Sequence, residues 1–189
     1  MLNQIRPAIV FTLAFTLLTG VAYPLAMTGI GQAVFPAQAN GSRITQDDII
    51  IGSTLIGQNF SQPQYFWPRP SATGPEPYDA SASSGSNYGP TDARLIERVS
   101  SAVGERGAAF AVPADAVTAS ASGLDPHISP DNARMQVARI AQARGQEASE
   151  IESLLNTMTE LPHLGIFGEP RVNVLALNLA LDRLAPLAR

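Results

Sequence analysis

The stretch RPAIVFTLAFTLLTGVAYPLAMTGIGQ, residues 6–32, decides how the rest of the chain is read. No charged residue occurs between Arg6 and Arg43, and positions 7–30 are built mainly from Ala, Val, Ile, Leu, Phe, Met, Thr and Gly. Wound as a helix at about 1.5 Å per residue, this run reaches roughly 36 Å, enough for the ~30 Å hydrocarbon layer with some tilt. A membrane-crossing anchor is therefore expected at about residues 7–30, within a segment 1–39. Arg6 flanks one end, whereas Arg43 at the other is soon followed by Asp47 and Asp48. That asymmetry places the amino-terminal end in the cytoplasm and residues 40–189 in the periplasm or its equivalent. A cleaved signal peptide is the alternative, because Ala37-Gln38-Ala39 has a small-x-small form, but the apolar run exceeds the ~7–15 residues of a signal core.

Within the span, Thr12, Thr16, Thr19, Gly20 and Tyr23 recur at spacings of three or four, which puts them on one helical face. Small and hydroxyl side chains let helices approach closely in lipid, so Thr12, Thr16, Thr19 and Gly20 are candidate packing positions for a partner helix. An unpartnered anchor is the plainer reading of the same residues. Pro24 has no N–H for the carbonyl of Gly20, and a kink is expected there.

Residues 40–189 are long enough for one mixed α/β domain, so the fold class expected for the chain is α+β: a single transmembrane helix followed by one extracytoplasmic domain. All 12 basic residues are arginine, and against 16 carboxylates they leave a net charge of −4. Without lysine there can be no phosphate-binding loop ending in Lys and no Schiff base. A net acidic chain also lacks the footprint of nucleic-acid binding. The absence of cysteine removes disulfides, thiolate nucleophiles and Cys-ligated zinc.

Along this domain, Ile49, Ile50, Ile51, Leu55 and Ile56, punctuated by Gly52 and Gly57, predict one or two short strands. Residues 61–90 carry six prolines, which argues against helix or central strand, yet they also hold Tyr65, Phe66, Trp67, Tyr78 and Tyr88. Disordered segments are poor in aromatics, so an ordered loop is expected. Its aromatics either form a partner surface or plug the domain's own core. Thr91 is expected to cap a helix with stripe Leu95, Val99, Ala102 and Val103, stopping near Gly107. Ser129-Pro130-Asp131 supplies cap, first-turn proline and dipole-matched carboxylate for a second helix, ended by Gly145. Ile151, Leu154, Leu155 and Met158 predict a third, ended by Pro162. Val172 and Val174 alternate like a strand, and the Leu-rich run to Leu187 predicts a helix entered near Leu175, with a continuous strand as the alternative.

Catalytic patterns are scarce. Asp125, His127 and Ser129 form the one local set with triad residue types, but residues two apart seldom meet in triad geometry, and Ser129 already serves as a cap. A periplasmic hydrolase would rest on His127; a secreted binding protein would begin near Asn40. Arg171, next to Glu169, is either half of a buried structural pair or an interface donor.

Five stretches in order, GSTLIGQNF (52–60), YFWPRPSATG (65–74), SGSNYGP (84–90), PADAVTASASGLDPHISP (113–130) and GEPRVNVLALNLALD (168–182), together resemble the C subunit of the bacterial Kdp potassium-transporting ATPase. The resemblance runs along nearly the whole chain; Ala121 stands where that family often has Gly. It implies an accessory subunit of a high-affinity uptake complex in the inner membrane. Its partners would be a channel-like potassium-binding subunit, a phosphorylated pump subunit and a small membrane subunit. ATP and potassium would be handled by the complex, with no cofactor held by this chain. The family is described as a catalytic chaperone that raises the pump subunit's affinity for ATP. On the outer domain, Tyr65, Phe66, Trp67, Arg69, Asn87, Asp125, His127 and Arg171 are the candidate partner-facing residues.

Overall fold

The computed structural model describes residues 2–106 and 111–186. The chain divides into two compact units, Met1–Ile51 and Gly52–Arg189. In the first, one helical rod runs over Ile5–Val34, with a stretch of mean hydropathy 1.9 in which no residue is buried. It consists of α1 (Ile5–Leu17), a π turn (Leu18–Ala22) and α2 (Tyr23–Val34). The irregularity expected from Pro24 takes the form of this wide turn. Tyr23 N–H donates to the carbonyl of Leu18, five residues back, as the helix approaches the residue that cannot donate. Thr19 Oγ1 turns inward and donates to the Phe15 carbonyl at 2.7 Å. A short helix α3 (Pro36–Ala39) and a hairpin of β1 (Arg43–Gln46) and β2 (Ile49–Ser53) complete this unit, β2 crossing its boundary. The β2 strand matches the isoleucine cluster, whereas β1, polar in composition, carries no apolar signal.

The second unit is built around a three-stranded antiparallel sheet in the order β3-β5-β4, where β3 is His127–Ile128, β4 Thr159–Glu160 and β5 Arg171–Asn173. Among the described residues four helices accompany it besides the single turn α5 (Ala114–Val117): α4 (Ala93–Glu105), α6 (Pro130–Arg144), α7 (Ala148–Met158) and α8 (Val174–Leu184). The core is made by Ile128, Val137, Ile140, Ile151, Leu155, Val172, Leu177 and Leu181, joined by Phe66 from the proline-rich loop.

The helix ends follow local chemistry. Ser129 Oγ accepts from Asn132 N–H at 3.1 Å, and Gly145 closes α6 at φ 64°, the left-handed conformation that favours glycine. At the carboxyl end, the strand-to-helix reading holds and the continuous strand is excluded. Asn173 leaves the sheet and caps α8, its Oδ1 accepting from Ala176 N–H at 3.0 Å, so the leucines alternate around a helix. Leu187 lies outside the described residues. One expectation about these ends needs correction. The α4 cap is Asp92, not Thr91: its carboxylate takes the Arg94 N–H and also the Arg94 guanidinium, a stronger acceptor than a hydroxyl. The helix ends at Glu105, and Gly107 lies outside the described residues.

Candidate functional site

The loop 61–78 is ordered without helix or strand because side chains do what a neighbouring strand would otherwise do. Phe66 N–H donates to Asn178 Oδ1 at 2.8 Å, and Asn178 Nδ2 returns a bond to the Phe66 carbonyl at 3.0 Å. Gln136 does the same for Trp67, accepting its N–H at 2.7 Å and donating to its carbonyl at 3.1 Å. Each carboxamide mimics one rung of a β-ladder.

Prolines lack N–H groups, so the remaining need is for donors to carbonyls, and arginine is a donor only. Arg139 reaches the carbonyls of Pro63 and Tyr65, and Arg144 that of Gln64 at 2.8 Å. Arg106 serves Pro68 at 3.0 Å, and Arg98 serves Ser71. Four of the 12 arginines, Arg98, Arg106, Arg139 and Arg144, thus hold the proline-rich loop.

Between this loop and α4 lies a groove of about 850 Å³, with Trp67, Tyr78, Arg69, Arg98 and Arg106 among its walls. The guanidinium carbons of Arg139 and Arg106 stand over the Trp67 ring at 3.9 and 5.5 Å. Burial, reinforced by the charge of Arg106, brings Arg139 down to about 10, so it stays protonated at neutral pH. Tyr78 OH donates to the Arg69 carbonyl at 2.8 Å, and burial followed by the nearby Asp125 raises its pKa.

Asp125 ties this groove to the sheet. Its Oδ2 accepts from Arg69 Nη1 at 2.9 Å and its Oδ1 from His127 N–H at 3.0 Å, with His127 Nδ1 3.5 Å away. Burial pushes the carboxyl up, but the hydrogen bonds from His127 and Arg69 outweigh it and hold Asp125 below the ordinary carboxylate range. The triad types do not assemble: Ser129 Oγ donates to Asp115 Oδ1 at 2.8 Å while capping α6. Among the described residues no group of three His, Asp or Glu is placed to hold a metal ion.

Of the eight partner-surface candidates, Arg69, Asp125 and His127 come together in this cluster, and Trp67 lies beside the same groove. Tyr65 belongs elsewhere, donating to Asp182 at 3.1 Å under the Arg144 guanidinium. Asn87 is exposed at φ 53°. Phe66 must be removed from a partner surface, because it is fully buried in the core. For this residue the core-plug alternative holds, driven by its apolar area. Arg171 pairs with Glu160 across the β4–β5 ladder at 2.9 Å, not with Glu169, and both side chains are exposed. The register of the hairpin, invisible in linear spacing, sets that pair. The sequence reading missed Asn178, Gln136 and the loop-binding arginines. Their one signal is polar residues on otherwise apolar helical faces.

A helix long and apolar enough to cross a membrane thus precedes a small α+β domain in which the polar side chains of the groove bind one another. A family model described as K+-transporting ATPase, c chain (KdpC) matches residues 5–183. The potassium-transporting ATPase KdpC subunit of Polaromonas naphthalenivorans is 56% identical over 192 residues, covering 99% of this chain and 98% of that protein. That of Gemmatimonas aurantiaca is 55% identical, covering 98% and 95%, and that of Caulobacter vibrioides 54%, covering 100% and 98%. The chain belongs to the KdpC family.

Proposed function

We propose that the chain is an accessory, non-motor subunit of an ATP-driven potassium uptake complex, held in the inner membrane by the helix Ile5–Val34 with residues 40–189 on the periplasmic side. The observation that carries this reading is the family match, which runs through both the apolar helix and the domain and joins the chain to relatives named as subunits of potassium-transporting ATPases. The partners are the channel-like, phosphorylated and small membrane subunits. The candidates of the domain that lie outside its core, the half-buried Tyr65, Trp67, Arg69, Asp125 and His127 and the exposed Asn87 and Arg171, are its partner-facing side.

In this arrangement the domain cannot touch nucleotide bound on the cytoplasmic side. The chain stabilises the assembly and raises the pump subunit's ATP affinity by binding one pump conformation better than another. Such coupling is typically worth about 5- to 150-fold in affinity. The placement is tested by protease added to right-side-out spheroplasts. Digestion of the domain is expected; a domain protected there but cut in inverted vesicles would reverse the orientation and remove the indirect account of ATP affinity.

The anchor packs through Thr12, Thr16, Thr19 and Gly20. A Cβ built at Gly20 meets nothing within 4 Å among the described residues, which leaves room there for a neighbouring helix. Gly20→Leu is expected to leave the chain folded and to lower the yield of intact complex severalfold in mild detergent. Unchanged assembly and transport would count against this packing face.

A further inference from the structure

The β4–β5 hairpin ends in a loop, residues 161–170, that the site described above does not use. Leu161, Leu164, Ile166 and Phe167 are 78, 78, 74 and 62% exposed. Four large apolar side chains on ten residues form the kind of patch that a soluble surface rarely carries without a partner.

The loop has a defined shape. His163 N–H donates to the Phe167 carbonyl at 2.9 Å and Phe167 N–H returns to the His163 carbonyl at 3.0 Å, while Gly165 N–H bonds Pro162 at 2.9 Å. At the turn, Leu164 has φ 55° and Gly165 φ 76°. Glycine adopts that conformation freely. A leucine there is strained, where Asn or Gly would sit more easily. A strained backbone that lifts a leucine into solvent is a feature that function, rather than folding, would retain. Pro162 and Pro170 bound the loop, and the Arg171–Glu160 pair clamps its base.

We propose that this hairpin tip is a peg that enters an uncharged, apolar crevice on another subunit of the potassium-transporting complex. The inference rests on the subunit reading given above and names its contact. Charge argues against a lipid headgroup surface: from Gly145 to Pro170 there is no Arg or Lys, whereas Glu147, Glu150, Glu152, Glu160 and Glu169 all lie in that stretch. An anionic bilayer would repel it. Size argues against a second copy of the chain. The four side chains offer on the order of 600 Å², short of the ~800 Å² per partner of a standard stable interface, but suited to a small anchor filling a pocket.

The test uses the full chain produced with the other subunits of the complex. A photo-crosslinking residue at position 166 is expected to form an adduct with another subunit; adducts only with lipid or with a second copy would overturn the proposal. In parallel, the double variant Ile166→Asp, Phe167→Asp is expected to reduce the co-purified subunits about tenfold or more in mild detergent. Because neither side chain packs in the core, its circular dichroism should match wild type. Retention equal to wild type, with wild type itself co-purifying, would overturn the peg and leave the subunit reading standing. If wild-type chain brings no subunit with it, the subunit reading fails and the peg with it.

Discussion

Replacing Asn178 with leucine is expected to lower the thermal midpoint of the purified chain by roughly 8–16 °C. The side chains are close in size, so little changes in packing. What changes is the pairing of Phe66, whose N–H and C=O are both bonded by this one carboxamide in the buried core. Each buried backbone group left without a partner costs about 1–3 kcal/mol, and two give about 4 kcal/mol. Asn178→Asp should also lose stability, since a carboxylate accepts from the Phe66 N–H but repels the carbonyl. A thermal scan in detergent reads both variants. An unchanged midpoint for Asn178→Leu would mean that the loop does not depend on this rung.

Arg144→Met is expected to release the loop from the other side. The Arg144 side chain is only 1% exposed, and its three nitrogens are all used: Nε on the Gln64 carbonyl, Nη1 on the Ala185 carbonyl and Nη2 on Asp182. Removing one partner of a buried ion pair costs about 3–5 kcal/mol. Asp182 is 38% exposed and regains water, which places this loss near the lower end. The local signature is faster chymotryptic cleavage at Tyr65, which loses the guanidinium above its ring and the pinned carbonyl before it. Arg144→Lys should recover only part of the stability, because an ammonium cannot reach three acceptors in the fixed fork of a guanidinium. Cleavage at the wild-type rate would sink this account.

Much of this fold is legible in the sequence where the determinants are neighbours. Ser129-Pro130-Asp131 and Gly145 bound α6 because caps and left-handed closures act within one turn. The candidate anchor is legible for a similar reason, since length and apolarity are local sums. The proline-rich loop is half legible: its aromatics argue for order, but not for where each ring goes. Phe66 is core because Asn178, 112 residues away, holds its backbone against α8. Likewise the Arg69–Asp125 pair joins residues 56 apart. Arg171 stands two residues from Glu169 in the sequence, whereas a ladder of two strands brings Glu160 to it instead. Linear spacing carries no register for strands of two and three residues, and β4 and β5 are that short.

The wide turn at Leu18–Ala22 makes the rod two-sided. A single added residue swings everything beyond it by about 100° around the axis. A straight line drawn through Thr12 and Thr16 therefore does not continue through the half that begins at Tyr23. The halves before and after the turn look toward different compass points, so a single rod presents two separate faces.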